Sequence, residues 1–361
     1  MSNHQAFSDT YFVARQRFRE AALRRGARLQ SFSIATTGPS GEELTIDVAR
    51  IGDEQARSVV VTTSGLHGIE GFFGSAIQLA SMSSERIDSA RSDVAIVHVH
   101  GVNPFGFAWR RRWNEENIDL NRNFLRPLEL YQGAPNGYRD LDDFLNPKSG
   151  PRPFELFPLR AMWIICRRGM SALKDAVAVG QYEYESGLFF GGRTTAESTS
   201  IVQREFLRWV GLGETIVHID FHSGLGKFGQ CRLLLVEPES SPNLRWYATT
   251  FGPHRVEPVS GKTAYPARGL MGSWLATARA DRRFRFVVAE FGTHSIIRVL
   301  GALRSENRTH LYCQPTDSAY EAAKAELMEC FCPAAGKWRR SVVLDGVKLI
   351  ERSVKVSSQP E

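Results

Sequence analysis

Three short segments of the 361-residue chain carry side chains able to hold and use a divalent cation. In SGLHGIEG, His67 and Glu70 stand three residues apart. On a helical turn that spacing puts an imidazole and a carboxylate on one side, and both are good zinc ligands. Taken alone, HxxE is common by chance. In ETIVHIDFHSGLG a β-branched run ends in a glycine-containing loop at His222, where a third ligand can stand. His218 and His222 cannot share one ion on a strand, because four residues at ~3.3 Å each separate them by about 13 Å. His222 is preferred, since ligands gather outside the carboxyl ends of strands in open α/β sheets and His218 sits mid-strand. Asp220, on the same side as His222, is positioned to orient its ring. The third segment, FRFVVAEFGTHS, delivers Glu290 at a strand end just before glycine. A carboxylate there can take a proton from a metal-activated water and hand it to a leaving group. Three strand ends each presenting a residue that metal-assisted hydrolysis requires is what lifts the set above chance.

A fourth segment, NPFGFAWRRRWNEENIDLNRNF, brings four arginines into a polar, aromatic-rich stretch. The guanidinium is always charged and its planar fork grips a carboxylate in two places, so Arg122 with Asn121 is expected to anchor an anionic substrate end. Either Arg112 or Arg111 is expected to polarise the scissile carbonyl and stabilise its oxyanion. His98 and His100 share one face of DVAIVHVH but have no carboxylate or third imidazole nearby in sequence, and are read as core residues.

The elements that must position these residues follow from periodicity. Short Val- and Ile-rich runs, SVVVTTS, DVAIVHVH, ETIVHIDF, CRLLLVE and FRFVVAE, read as buried strands with helical patterns between several of them. Two alternating runs, LQSFSIAT and LTIDVARIG, joined by the turn cluster TGPSGEE, read as a hairpin at the sheet edge. The alternation predicts an α/β fold with a mixed or largely parallel central sheet. A first helix is expected between Ser8 and Arg25, capped by Ser8 or Asp9, with further helices over Phe157–Val179 and Ser200–Val210. The stretch from Arg126, dense in Pro, Gly, Asn and Asp, reads as an elaborate surface insertion reaching to about residue 199, and GQYEYESGLFFGGRTT within it as a loop over a binding site. There is no internal repeat and no low-complexity linker, so residues 1–361 are expected to form one domain.

Composition narrows the function classes. The formal charge of +6 is spread among 45 basic and 39 acidic residues, with one tight cluster at Arg110–Arg112, so no nucleic-acid partner is expected. No segment approaches the ~20 apolar residues of a membrane span, nor does the amino terminus resemble a signal peptide, and a cytoplasmic protein is expected. Five cysteines, Cys166, Cys231, Cys313, Cys330 and Cys332, lack paired CxxC spacing and are read as free thiols.

Together, HGIE, NPFGF followed by DLNRNF, DFHSG and AEFG, in that order between Ser58 and Ser295, resemble the zinc carboxypeptidase superfamily, which includes the succinylglutamate desuccinylase and aspartoacylase deacylases. GLHGIEGFFGSAIQ, NEENIDLNRNF and GQYEYESGLFFGG look closer still to an uncharacterised bacterial carboxypeptidase-like branch. The resemblance implies a three-layer α/β fold with a mixed central sheet flanked by helices. It implies one Zn2+ per chain on His67, Glu70 and His222, with Arg112 polarising the carbonyl, Asn121 and Arg122 clamping the carboxylate and Glu290 as base. The spacing within AWRRRWNEEN leaves Arg111 as the alternative to Arg112. Tyr265 in SGKTAYPARG is the candidate for the mobile tyrosine of the digestive enzymes. The expected substrate is a small molecule or short peptide, hydrolysed at an amide, by removal of a carboxy-terminal amino acid or by deacylation of an acylated one. A non-catalytic protein that binds acidic peptide ends is the alternative from another class.

Overall fold

The computed structural model describes residues 5–87, 93–152, 155–169, 179–258, 267–279 and 281–358. Eight strands form one mixed sheet: β1 (Arg28–Thr37), β2 (Glu43–Ile51), β3 (Ser58–Thr63), β4 (Val94–His100), β5 (Thr215–Ser223), β6 (Cys231–Leu235), β7 (Val256–Glu257) and β8 (Arg283–Phe291), in the order β1-β2-β4-β3-β5-β8-β6-β7. β4, β3, β5 and β8 run parallel at its centre. The β1–β2 hairpin is antiparallel and leaves β1 at one edge, as its alternating pattern predicts. At the other side β6 runs antiparallel to β8, and β7, too short to be read from sequence, closes the edge.

The central strands are buried along most of their length because both faces are covered. Along β5, Phe221 meets Gly74 of helix α2 (Gly71–Met82), and on neighbouring β3 the Gln78 amide of α2 donates to Thr62 Oγ1 at 3.1 Å. The other set of side chains turns the opposite way, where His218 stacks at 5.7 Å on Phe206 of helix α6 (Glu197–Val210). Helices on both faces give the three-layer α/β architecture expected.

The remaining helices are α1 (Tyr11–Arg24), α3 (Pro104–Ala108), α4 (Tyr138–Leu145), α5 (Phe157–Arg168), α6 (Glu197–Val210), α7 (Leu244–Phe251), α8 (Met271–Ala278), α9 (Ile296–Tyr312), α10 (Ser318–Phe331) and α11 (Gly336–Ser357). The cap of α1 is Thr10, which accepts from Val13 N, and not Ser8 or Asp9. The helix expected over 157–179 is seen as α5, and most of its second half lies outside the described residues. The turn-rich stretch after Arg126 hides α4, whose buried Tyr138, Leu141, Phe144 and Leu145 recur at helical spacing.

Candidate metal and hydrolytic site

The site forms where β3, β5 and β8 end together. After β3 the chain passes through Gly65 in the left-handed region (φ 68°), and His67 then takes an extended conformation as the cap of a short 3-10 turn, Gly68–Glu70, that leads into α2. Gly68 is required there. A Cβ on it would lie 2.0 Å from the carbonyl carbon of Gly106 in α3, so the two backbones touch directly. On β5 the register pairs His222 with Glu290 of β8, which places both near the carboxyl end and on one face.

Ligand atoms of His67, Glu70 and His222 all lie within 4.8 Å of one another, and all three residues are buried. The Nδ1 atoms of the two imidazoles face each other at 3.2 Å. Glu70 Oε1 lies 3.0 Å from His67 Nδ1, and Oε2 lies 2.9 Å from His222 Nδ1 but off the hydrogen-bonding direction, so that this buried oxygen has no hydrogen-bond partner. The far nitrogens meet carboxylates: His222 Nε2 is 2.6 Å from Asp220 Oδ2, and His67 Nε2 is 3.1 Å from Asp119 Oδ1. A carboxylate on Nε2 makes that nitrogen the N–H and leaves Nδ1 as a lone pair. With both rings in that tautomer, two lone pairs and a carboxylate converge with no proton among them. A dication resolves that repulsion, and the donor set is the His2Glu type suited to zinc.

Arg112 borders the same space. Its Nη2 lies 3.0 Å from Asp119 Oδ2 and 2.8 Å from His67 Nε2, its Nη1 lies 3.7 Å from Glu70 Oε1, and its guanidinium sits 5.5 Å over the Phe189 ring. Two groups therefore compete for His67 Nε2, and a cation on the Nδ1 side selects the form that donates to Asp119. Asp220 is held in turn by Thr63, whose hydroxyl donates to Oδ1 at 2.6 Å.

Electrostatics separate the carboxylates. Burial opposes ionisation of Glu70, but the imidazoles of His67 and His222 outweigh it and draw the group down to about 2. Glu290 goes the other way: burial, reinforced by the Glu70 carboxylate, raises it to about 7 against the pull of His222, the Leu225 N–H and Arg112. The N–H of Leu225 donates to Glu290 Oε1 at 2.8 Å, which fixes the side chain. For His222, burial is overcome by Asp220 and Glu70 and the imidazole is raised well above its ordinary value in the absence of a cation. A carboxyl poised near neutrality beside a strongly acidic one is the separation that general-base chemistry uses.

The other expected residues are placed as follows. Arg122 is buried, its Nη1 donating to the Asn121 carbonyl at 2.6 Å and its stem packed so closely on Gly180 that a Cβ there would lie 2.6 Å from Arg122 Cδ. Asn121 Oδ1 accepts from the Met271 N–H at 3.1 Å. Arg111 does not face the donors: its guanidinium turns to Glu306, Asn117 and Asn307. Neighbouring residues on this irregular loop point to opposite sides, and of the two it is Arg112 that meets Asp119 and Glu70. Tyr265 lies outside the described residues. His218 is held by Thr63 Oγ1 at 3.0 Å, and His98 and His100 by Thr62 and Ser75. Burial pushes all three imidazoles down, to about 4, 3 and 4, which suits neutral core residues.

Sequence reasoning missed Asp119 as the partner of His67. Its only signal was its place two residues before Asn121 in DLNRNF. It also missed how far residues 180–192 build the wall: the Phe190 carbonyl accepts from Asp119 N at 2.7 Å, and Phe189 reaches Arg112 from a left-handed backbone (φ 59°).

Solved structures are similar to this chain at low sequence identity. Bovine thrombin-activatable fibrinolysis inhibitor, in complex with tick carboxypeptidase inhibitor, is 10% identical with a TM-score of 0.52 over 97% of each chain. Carboxypeptidase A from Helicoverpa armigera is 14% identical over 89% of this chain and 72% of that one, with a TM-score of 0.46. A metallo-carboxypeptidase from Burkholderia cenocepacia is 11% identical over 94% and 67%, also at 0.46. The likeness is one of fold, and it is carboxypeptidase-like. No curated protein matches the chain. Residues 7–345 match the family described as "Protein of unknown function (DUF2817)", and the chain belongs to that family.

Proposed function

We propose that the protein is a zinc-dependent amide hydrolase of the metallocarboxypeptidase kind, holding one Zn2+ per chain and acting on a small peptide or acylated amino acid that carries a free carboxylate. The observation that carries this reading is the convergence of His67 Nδ1, Glu70 and His222 Nδ1, each ring backed by a carboxylate, in the space bordered by Arg112. Bound Zn2+ would supply Lewis acidity toward a water and a carbonyl oxygen. The chain's own residues do the rest. Asp220 and Asp119 hold the two imidazoles in the ligating tautomer. Glu290, raised toward neutrality, takes the proton from the attacking water and returns it to the departing nitrogen. Arg112 donates to the oxyanion as it forms. Arg122, supported by Asn121, receives the substrate carboxylate.

Among the described residues no helix is long and apolar enough to cross a membrane. The five cysteines are all unpaired, which favours a reducing compartment, and we assign the cytoplasm on that ground.

Elemental analysis of the purified protein and a panel of short peptides and N-acyl amino acids, each with and without chelator, test the reading together. Near-stoichiometric zinc and chelator-sensitive release of an amino acid are expected. Cleavage of peptides marks a carboxypeptidase, cleavage of N-acyl amino acids a deacylase. A protein that binds zinc yet cleaves neither set fits the binding-protein alternative, and one without zinc affinity refutes the metal centre.

A further inference from the structure

Arg111, unused in the hydrolytic scheme, belongs to a buried ion cluster behind the site. Its Nε donates to Glu306 Oε1 of α9 at 3.0 Å, and Lys324 of α10 donates to the same oxygen at 2.5 Å. Arg111 Nη2 also donates to Asn117 Oδ1 and Asn307 Oδ1, each at 3.0 Å. Side chains of Glu306 and Lys324 are wholly buried, and that of Arg111 is 1% exposed. Glu306 Oε2 has no hydrogen-bond partner. Two cations and one anion out of water, with an oxygen left unmatched, is an expensive way to fill a core, and apolar side chains of similar size often serve stability as well or better.

What the cluster does provide is direction. It fixes the backbone at Arg111 and Arg112, and that backbone is the ledge on which the ligand turn rests: the Arg111 carbonyl accepts from Ile69 N at 2.6 Å, and the Arg112 carbonyl from Gly68 N at 3.2 Å. Gly68 and Ile69 are the residues between His67 and Glu70. The ledge is tied again by Asn103, whose amide donates to the Arg112 carbonyl at 3.2 Å. α10, which carries Lys324, packs against the same turn.

We propose that Arg111, Glu306 and Lys324 are positioning residues that set the spacing of His67 and Glu70 for the metal, an inference that rests on the metal-centre reading above. Glu306→Gln and Lys324→Met are the direct probes, read by Zn2+ affinity in competition with a chromogenic chelator and by the absorption spectrum of the Co2+-substituted protein. Zn2+ binding about 10–100-fold weaker, as when groups supporting metal ligands are lost, and a displaced Co2+ spectrum are expected. Asp47→Asn is the control. It removes the carboxylate charge that pairs with Arg15 and Arg19 of α1, and so is expected to lower stability without touching the ledge. It should bind both ions as the wild type does.

Should the single variants fail to fold, the combined Arg111→Met, Glu306→Leu, Lys324→Met variant leaves no charge of the cluster behind. It is expected to melt no lower than the wild type while still binding Zn2+ weakly. A folded variant, single or combined, with wild-type affinity and spectrum overturns the inference, as does an equal loss in Asp47→Asn. Wild-type protein that binds neither ion overturns the metal centre itself, and this inference with it.

Discussion

Gly68→Ala is the smallest change that should dismantle the proposed metal centre. The added methyl would stand 2.0 Å from the Gly106 carbonyl carbon and 2.3 Å from both Gly106 Cα and Phe107 N. Carbon atoms in contact settle at about 3.5–4.0 Å, so relief requires a movement of roughly 1.5–2 Å. The obstacle is backbone at the start of the ledge, where Gly106 O accepts from Arg111 N at 2.6 Å and Gly106 N donates to Asn103 Oδ1 at 2.8 Å. No flexible side-chain end can give way. The turn must therefore move, and it carries a ligand on each side. Ligand distances in metal sites are held within about 0.2 Å, several times less than the displacement needed. Overpacking of this kind costs about 1–3 kcal/mol, a loss the folded protein can survive. The expected result is a cooperatively folding protein whose zinc content after dialysis against a weak chelator falls far below the wild type. Gly301→Ala is the control: its Cβ meets the Phe157 ring at 3.0 Å, a few tenths short of ordinary contact. Gly68→Ala with stoichiometric zinc and wild-type affinity would refute the argument that this backbone contact sets the ligand geometry.

Glu290→Gln should keep the fold and the zinc but lose about 10²–10⁴-fold in kcat, measured on whichever substrate the panel yields. Because the base must be ionised, kcat/KM should fall as pH drops through the Glu290 pKa, about 7 without a cation and lower once a dication adds its attraction, and this acid limb should vanish in the Gln variant. Arg122→Met removes charged hydrogen bonds worth about 1.5–3 kcal/mol. It should lower kcat/KM by roughly ten- to a hundredfold for a substrate with a free carboxylate and little for its amide; equal losses on both, with a lower Tm, would make Arg122 a structural residue paired with Asp119. His218→Ala should leave zinc occupancy unchanged while lowering Tm, since its ring fills the core against Phe206 and Phe286.

What was legible in the sequence was set by local periodicity and by strand ends. β5 and β8 announce themselves by Val, Ile and Phe clustered in short runs whose two faces are covered, and the rise along β5, ~3.3 Å per residue, is what separates His218 from His222. The roles of the three arginines were not legible. Arg110, Arg111 and Arg112 are chemically equal neighbours, and what separates them lies far along the chain: Glu321 for Arg110, Glu306 for Arg111, and Asp119 with Phe189 for Arg112. Only the packing of α9 and α10 against the 109–118 loop assigns them. The wall built by residues 180–192 was foreseen as a loop over a site. Its contacts were not, because they run through backbone carbonyls such as those of Leu188 and Phe190, which side-chain patterns do not report.

The parallel pairing of β3 with β5 has a consequence for how the chain reaches its native state. Thr63 and Asp220, joined by a hydrogen bond across that pair, are 157 residues apart, and His67 and His222 are 155 apart. Closing so long a loop costs entropy before any contact repays it, and folds dominated by such distant pairings form slowly. The ligands cannot be gathered by a local segment, as those of a zinc finger are, so the ion cannot nucleate this fold. Metal capture therefore becomes a late event in refolding. Its rate should follow the docking of β5 beside β3, and the helices, built from local contacts, should be protected first.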